Sequence, residues 1–330
     1  MSGRVAVIGA GAWGTALAIR LAEAGRSVSL WARDAHRAAE IAVTRENARL
    51  LPGAALPDAL RVTADAAEAL AEAEAVLLAV PVQGLRGVAA AIAPHWPGVA
   101  PAVLCAKGID AGTLRLPHET VAEVLPEVPL AALTGPNFAH EVVSGLPAAA
   151  LLAAPDDAAR EGLVALLGFA RFRLYPSPDL AGAALGGAAK NVIAIAAGVV
   201  EGLGLGENAR AALITRGVAE LTRFVVAEGG RAETAAGLSG LGDLVLTCTG
   251  GASRNHSLGI ALGRGEALEA VLAGRAGVTE GVATAPALVA RARGHAVELP
   301  IAEAVAALLS GQASAPALAE ALLARSIRGE

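Results

Sequence analysis

Apolar runs of strand length alternate with stretches of helix-forming residues through the first half of the chain. The predicted strands are Val5–Ile8, Ser27–Trp31, Arg61–Thr63, Ala75–Val80, Ala102–Cys105, Leu130–Thr134, Ala148–Ala153 and Arg171–Tyr175. The predicted helices among them are Thr15–Ala24, Ala35–Ala48, Ala66–Ala73, Gln83–Ala93 and Asp157–Phe169. Strands that alternate with helices are typical of βαβ units, so we expect an α/β fold with a mostly parallel sheet.

The pattern changes near Ser177-Pro178-Asp179. From Asp179 onward apolar residues recur at helical spacing, as at Val192, Ile195 and Val199, and no convincing strand follows. We therefore predict two domains, an α/β domain over residues 1–178 and an all-helical domain over residues 179–330.

Composition changes this picture little. The chain is 55% hydrophobic but only 2% aromatic, which favours helices packed through small side chains. Its longest stretch without charged residues, Gly87–Ala106, contains three prolines and so cannot form one membrane-spanning helix. A net charge of −5 with dispersed basic residues argues against nucleic acid as the main partner. We expect a cytoplasmic protein.

Metal and disulfide chemistry are not indicated. Cys105 and Cys248 lie far apart in the sequence and outside any C-x-x-C pattern. The six histidines show no ligand spacing. We therefore expect no metal site and no disulfide framework.

The first predicted strand ends directly in Gly9-Ala10-Gly11-Ala12-Trp13-Gly14, and a predicted helix follows that closes on Gly25. In this context Gly9 would permit a tight turn, Gly11 would admit a pyrophosphate to the backbone amides, and Gly14 would let the helix pack closely on the strand. The spacing predicts a dinucleotide site. A glycine turn with nothing bound is the alternative.

The end of the second predicted strand bears on cofactor preference. NAD enzymes usually place an acidic residue there to bind the ribose 2′-hydroxyl. Here Arg33 could instead pair with a 2′-phosphate, while Asp34 is well placed to cap the next helix. We therefore favour NADP over NAD, although Arg33 could also be an ordinary surface residue.

Further candidates lie at predicted strand ends and helix starts. Lys107 and the turn Gly135-Pro136-Asn137 follow two strands, at the edge where a cofactor crevice is expected. Gly182, Gly186 and Gly187 precede Lys190 in a predicted helix, where small residues would permit close packing. The segment Gly250–Asn255 opens another helix with glycines, Ser253 and Arg254, which are the parts of a phosphate site. Ser253 could equally serve only as a helix cap.

Together these segments resemble the bacterial NAD(P)-dependent glycerol-3-phosphate dehydrogenases. The matching segments follow one another along nearly the whole chain: the fingerprint at Gly9, Ala106-Lys107-Gly108, Thr134–Ala139, Lys190–Ala194, Gly240–Leu244, Ser253-Arg254-Asn255 and Thr279-Glu280-Gly281. The resemblance implies a Rossmann-type domain followed by a helical domain like the C-terminal domain of 6-phosphogluconate dehydrogenase. It implies reversible reduction of dihydroxyacetone phosphate to sn-glycerol 3-phosphate, a precursor of glycerophospholipids, and a possible homodimer.

The resemblance also assigns residues. It implies that Lys190 is the proton donor and acceptor, with Asp243 and Lys107 beside it. The expected substrate contacts are Lys107, Gly135, Asn137, Lys190, Asn191, Asp243, Thr247, Ser253, Arg254 and Asn255. The expected cofactor contacts are Gly9, Gly11, Ala12, Trp13, Gly14, Arg33, Lys107, Ala139, Arg254, Val278 and Glu280. Relatives often have Ser or Thr where this chain has Asn137, and Ser where it has Ala12.

Two alternatives stay open at this point. A hydroxyacid or 6-phosphogluconate dehydrogenase shares the two-domain plan, but it would need a carboxylate-binding signature in place of the phosphate parts. A catalytically inactive dinucleotide sensor could keep the glycines, but it would not need Lys190 and Asp243 together.

Overall fold

The computed structural model describes residues 3–275 and 277–324. Two compact units emerge from the contacts within the chain. One contains the residues up to Lys107 together with Arg115–Ala183, and we name it the sheet unit. The other contains Gly108–Leu114 together with the residues from Ala184 onward, and we name it the helical unit.

One sheet of eight strands, in the order β3-β2-β1-β4-β5-β6-β7-β8, organises the sheet unit. Its strands are β1 Arg4–Ile8, β2 Ser27–Trp31, β3 Arg61–Thr63, β4 Ala75–Leu78, β5 Ala102–Leu104, β6 Leu130–Thr134, β7 Ala148–Ala153 and β8 Phe172–Ser177. All neighbouring strands are parallel except β6 and β7. The predicted mostly parallel sheet is confirmed.

Helices cover both faces of this sheet. They are α1 Ala12–Glu23, α2 Ala35–Thr44, α3 Ala66–Leu70, α4 Val82–Ile92, α5 Pro117–Val124, α6 Ala139–Val143 and α7 Asp157–Leu167, with a 3₁₀ turn at Ala93–His95. Val5 and Val7 of β1 join the core on the side of α1, α2 and α7. Ala6 and Ile8 face the opposite way, into the core with α3, α4 and α5. This two-sided burial explains why the strands are apolar at successive positions.

Several predicted boundaries in this unit were wrong. The helix predicted over Ala35–Ala48 ends at Thr44, because Arg45 takes a left-handed conformation with φ 54°. The helix predicted over Ala66–Ala73 ends at Leu70, and Glu72 has φ 56°. Both positions stop a helix without glycine or proline, so the local sequence contained no strong stop signal.

The helical unit contains no strand within its described residues, as the helical spacing predicted. Its helices are α8 Leu180–Gly202, which begins in the sheet unit, α9 Gly206–Ala227, α10 Ala232–Ala235, α11 Asp243–Thr249, α12 Arg254–Gly263, α13 Leu268–Ala273, α14 Glu280–Gly294, α15 Pro300–Leu309 and α16 Ala315–Leu323. A π-helical turn at Leu238–Gly242 leads directly into α11.

Glycines let α8 and α12 approach each other backbone to backbone. A Cβ atom at Gly198 would lie 2.1 Å from the carbonyl oxygen of His256, and one at Gly259 would lie 2.0 Å from that of Ile195. Such distances exclude any side chain at these positions in the present packing. In length and composition α8 could cross a membrane, but its apolar window is entirely buried within the protein, as in the core helix of a globular protein.

Candidate active site

The glycine fingerprint forms the turn between β1 and α1. Gly9 has φ 118°, and a Cβ atom there would lie 2.6 Å from the carbonyl oxygen of Ala79. A Cβ atom at Gly14 would lie 2.1 Å from the carbonyl oxygen of Gly9. Backbone conformation therefore requires glycine at the first position, and close packing of the helix on the turn requires it at the last.

The start of α1 is shaped to receive an anion. Gly11 is the cap residue, and the Ala79 carbonyl oxygen, 3.9 Å away, is the nearest atom that a Cβ there would meet. Ala12 is the first helical residue and contributes a backbone amide. The first amides of a helix have no partner within the helix and carry the positive end of its dipole. These residues fit the pyrophosphate of a dinucleotide.

Two side chains that the sequence analysis missed brace this turn. Asn47 is 1% exposed, and its Nδ2 donates to the Ala10 carbonyl oxygen at 3.1 Å and to Thr15 Oγ1 at 2.8 Å. Arg37 Nη2 donates to the same carbonyl at 2.9 Å and to Asn47 Oδ1 at 3.0 Å. No local pattern marks these residues, because Asn47 is 37 positions from Ala10.

The end of β2 carries several cations. Arg33 is exposed there, and Asp34 accepts a hydrogen bond from the Arg37 amide at 2.8 Å, which confirms the predicted helix cap. Burial lowers the pKa of Arg37, and the nearby charge of Arg49 acts in the same direction. Asp34 therefore caps α2, while the exposed positive charge of Arg33 suits a 2′-phosphate.

Trp13 packs against the core cluster of the sheet unit that contains Cys105. Burial raises the pKa of the Cys105 thiol to about 12, so the thiol is not a nucleophile at neutral pH. Trp13 packs edge-on against Phe172, with 6.3 Å between the ring centroids. Among the described residues, no group of three or more His, Cys, Asp and Glu side chains could hold a metal ion.

Lys107, Gly135 and Asn137 form a second group in the sheet unit. Lys107 Nζ donates to the Gly135 carbonyl oxygen at 3.1 Å. Asn137 Nδ2 donates to the Ala149 carbonyl oxygen at 3.1 Å, whereas Asn137 Oδ1 is buried without a hydrogen-bond partner among the described residues. Asn137 therefore presents an acceptor that a substrate hydroxyl could satisfy. Ala139, an expected cofactor contact, is the first residue of α6.

In the helical unit, Lys190 lies within a buried polar cluster. Its Nζ is 2.5 Å from Asp243 Oδ1 and donates to Thr247 Oγ1 at 3.1 Å. Lys190 is 8% exposed and Asp243 is 1% exposed. The Thr247 hydroxyl in turn donates to the Asp243 carbonyl oxygen at 2.6 Å. The ammonium is thus held by a carboxylate and a hydroxyl in a site with little water.

The π-helical turn places Asp243 against α8. A Cβ atom at Gly186 would lie 2.6 Å from the carbonyl oxygen of Ser239, and one at Gly240 would lie 1.9 Å from that of Ala235. Lys190 lies four residues after Gly186, and Asp243 lies four residues after Ser239, which is about one helical turn in each case. The glycines therefore bring the two charged side chains within reach of each other.

The start of α12 combines a helix cap with cationic side chains. Ser253 Oγ accepts a hydrogen bond from the His256 amide at 3.2 Å, so Ser253 does cap this helix, and its contact with a phosphate stays a prediction. Arg254 is exposed. Arg275, which the sequence analysis missed, donates to the Arg254 carbonyl oxygen at 2.6 Å. Burial lowers the pKa of Arg275, and the charge of Arg254 acts in the same direction.

Asn255 links α12 to two neighbouring elements. Its Nδ2 donates to Asn191 Oδ1 at 2.9 Å, and its Oδ1 accepts from the Gly281 amide at 3.0 Å. Asn255 therefore holds the start of α14, where Glu280 is the first residue. Val278, just before this helix, is 48% exposed.

Known proteins resemble the chain along nearly its whole length. Residues 4–160 match the NAD-dependent glycerol-3-phosphate dehydrogenase N-terminus, and residues 179–320 match the C-terminus of the same family. A glycerol-3-phosphate dehydrogenase [NAD(P)+] of Rhodospirillum rubrum is 55% identical over 99% of this chain and 93% of its own length. One of Caulobacter vibrioides is 52% identical over 99% and 98%. The glycerol-3-phosphate dehydrogenase structure from Coxiella burnetii matches with a TM-score of 0.94, 38% identity and coverage of 98% and 99%.

Proposed function

The chain belongs to the NAD-dependent glycerol-3-phosphate dehydrogenases, and we propose that it uses Lys190 to protonate dihydroxyacetone phosphate during reduction to sn-glycerol 3-phosphate. The observation that carries the residue assignment is the buried pair of Lys190 and Asp243, 2.5 Å apart. The ketone oxygen requires a proton donor, and Lys190 is a buried ammonium with fixed partners. An inactive dinucleotide sensor would have no use for this arrangement.

Asp243 and Thr247 orient the ammonium group of Lys190. A carboxylate and a hydroxyl accept hydrogen bonds from the ammonium and fix its position, and we assign the ammonium to the substrate oxygen. As negative charge develops on the carbonyl oxygen, the ammonium stabilises it and transfers the proton. In the reverse direction the neutral amine accepts the proton from the alcohol.

The sheet unit supplies the residues that would hold the cofactor. When bound, the nicotinamide donates a hydride to the ketone carbon or accepts one from the alcohol carbon. The amides at Gly11 and Ala12 would bind the pyrophosphate, and Arg33 would pair with a 2′-phosphate. The cationic end of β2 supports NADP as the preferred cofactor, with NAD as the alternative.

The helical unit supplies the residues for the substrate phosphate. Arg254 offers a guanidinium at the start of α12, next to the first amides of that helix. Ser253 accepts from the backbone through its oxygen, which leaves its hydroxyl hydrogen to donate. Asn191 and Asn255 bond to each other and would keep this end of the helix in place.

Lys107 and Asn137 are assigned to the triose part of the substrate. Lys107 carries a positive charge next to Gly135, and Asn137 Oδ1 is a buried acceptor. A cation and an acceptor suit a ketone oxygen and a neighbouring hydroxyl.

A spectrophotometric assay tests the proposal. NADPH and NADH are supplied in parallel with dihydroxyacetone phosphate, a 2-oxo acid, and ribulose 5-phosphate with bicarbonate, the reductive substrates of the alternative dehydrogenases. We expect rapid oxidation of NADPH with dihydroxyacetone phosphate and little with the others. Turnover of a 2-oxo acid at a comparable rate would contradict the substrate assignment, and equal use of NADH would contradict the cofactor preference.

A cytoplasmic location and a homodimer are also proposed, on the resemblance to the family. Cell fractionation tests the location, since the activity should remain in the supernatant after membranes are removed. Sedimentation equilibrium tests the assembly and should give a mass near twice the 32.6 kDa of the chain.

A further inference from the structure

The residues that directly follow Lys107 belong to the other unit. Gly108–Leu114 groups with the helical unit, whereas Lys107 and Arg115 group with the sheet unit. At its far end, Arg115 forms an ion pair with Glu123 of α5. We name Gly108–Leu114 the strap. Whatever holds the strap therefore also restrains the backbone next to Lys107.

The strap is internally stiff. Asp110 Oδ1 accepts hydrogen bonds from the amide and the hydroxyl of Thr113, both at 2.8 Å. The Leu114 amide donates to the Asp110 carbonyl oxygen at 2.9 Å, and Ile109 is 0% exposed. A restraint at Leu114 is thus passed back as far as Ile109.

Arg291 of α14 is the anchor at Leu114. One guanidinium nitrogen, Nη1, donates to the Leu114 carbonyl oxygen at 2.8 Å. The other two, Nε and Nη2, donate to Glu228 Oε1 at 2.5 Å and to Oε2 at 2.7 Å. His295 Nε2 lies 3.2 Å from the same Glu228 Oε1. The planar fork of arginine makes all three bonds at once, which a lysine ammonium cannot do.

Water competes little with these bonds. The side chain of Arg291 is 13% exposed and that of Glu228 is 6% exposed. An ion pair so well shielded holds its geometry better than a surface pair, in which both side chains stay mobile. The carbonyl of Leu114, a residue with φ 59°, is therefore held at a defined position.

We infer that Arg291, oriented by Glu228, is a positioning residue for Lys107 and acts through the strap. This inference rests on the role proposed above for Lys107. Only Gly108, with φ 151°, separates Lys107 from the stiff part of the strap. If Arg291 is replaced, the Lys107 backbone loses this restraint and the ammonium spends less time in place. Turnover then falls while dinucleotide affinity does not change.

A double-mutant cycle in the full-length enzyme tests this inference. The proteins are the parent, Arg291→Met, Lys107→Met and the double variant, assayed with dihydroxyacetone phosphate and NADPH. We expect Arg291→Met to lower kcat/KM about tenfold in the parent but less than twofold in the Lys107→Met background, because coupled residues are not additive. NADPH affinity should stay within about twofold of the parent.

Hydrogen exchange of the strap amides provides a readout that does not depend on activity. Exchange in residues 109–114 should speed up at least about tenfold in Arg291→Met, because local opening becomes easier. If Arg291→Met does not fold, Arg291→Lys goes through the same cycle, since it keeps the charge beside Glu228 but loses the fork. Arg293→Met, an exposed change on the same helix, should leave both readouts unchanged.

The outcomes separate this inference from the proposed function. If the Arg291 variant loses the same factor in both backgrounds, or if strap exchange does not change, the positioning role is wrong. If Lys107→Met itself keeps parental turnover, the role proposed for Lys107 is wrong, whatever exchange shows.

Discussion

The candidate residues of the sheet unit and those of the helical unit use different kinds of group. The cofactor residues proposed in the sheet unit would act mainly through backbone amides, at the turn from Gly9 to Ala12. The residues proposed in the helical unit would act through side chains, with Lys190 and Asp243 paired across 53 residues of sequence. A backbone site is specified by a few neighbouring residues, whereas a side-chain site depends on how distant helices pack. Substitutions in the two units should therefore impair different properties of the protein.

The largest expected effect is on turnover, through Lys190. Lys190→Ala should lower kcat by about 10²–10⁴-fold, the range for loss of a general acid. NADPH binding, measured by fluorescence titration, should stay close to that of the parent, because the proposed cofactor residues belong mostly to the sheet unit. Turnover near the parental value would show that another group donates the proton.

The next effect is on folding and concerns the crossing of α8 with α12. Gly198→Ala should destabilise the protein by about 3 kcal/mol, at the upper end for overpacking, because the new Cβ would meet a backbone carbonyl at 2.1 Å. Gly87→Ala in α4 is the matched control, since nothing lies within 4 Å of its Cβ position. That change should stabilise by roughly 0.5–1 kcal/mol through helix propensity. Thermal unfolding measures both, and equal stability of the two variants would contradict the close crossing.

Glu220 should make the helical unit less stable as pH rises. It is 6% exposed and accepts a hydrogen bond from the Ile301 amide at 2.9 Å, at the start of α15. Burial raises its pKa from 4.5 to about 7, although the Ile301 and Ala302 amides and Arg223 act the opposite way. Between these values the folded state binds more protons than the unfolded state, so the free energy of unfolding falls as pH increases.

Glu220→Gln removes this dependence while keeping an acceptor for Ile301. At pH 8 the variant should be more stable than the parent by about 2 kcal/mol, and at pH 5 the two should be close. Urea unfolding at both pH values measures the difference. A constant difference across this range would mean that Glu220 is ionised in the folded protein at both values.

The smallest of these effects is on cofactor choice. Arg33→Asp should weaken NADPH binding by about tenfold or more while NADH binding changes little, because only NADPH carries the phosphate that a guanidinium can pair with. Dissociation constants from fluorescence titration give the ratio directly. An equal loss for both cofactors would show that Arg33 does not contact the 2′-position.

Contacts between residues close in the sequence were easier to predict than contacts between distant residues, in both units. The turn at Gly9 and the cap at Asp34 depend on residues within a few positions of each other, so local patterns were enough. The brace at Asn47 and the anchor at Arg291 depend on tertiary contacts over 37 and 177 residues, and no local pattern indicated them. The roles of Lys190 and Asp243 were predicted only through resemblance to a family.

The glycines show the same difference. Gly9 could be interpreted from its spacing, because a turn after a strand has a known pattern. Gly198 and Gly259 lie inside helices, where glycine is normally unfavourable, and their partners are far apart in sequence. Only the packed structure shows that the two positions face each other.

The central claim is that the protein reduces a phosphorylated triose. Substrate selectivity tests this claim most directly, because the phosphate is proposed to bind at Arg254. The ratio of kcat/KM for dihydroxyacetone phosphate to that for dihydroxyacetone is measured in the parent and in Arg254→Ala. In the parent, both kcat and affinity should be much higher for the phosphorylated substrate, since binding energy from the phosphate also orients the reacting carbonyl. In the variant this ratio should be smaller, because kcat/KM falls for the phosphorylated substrate alone. An equal loss for both substrates would mean that Arg254 is structural and that the phosphate binds elsewhere.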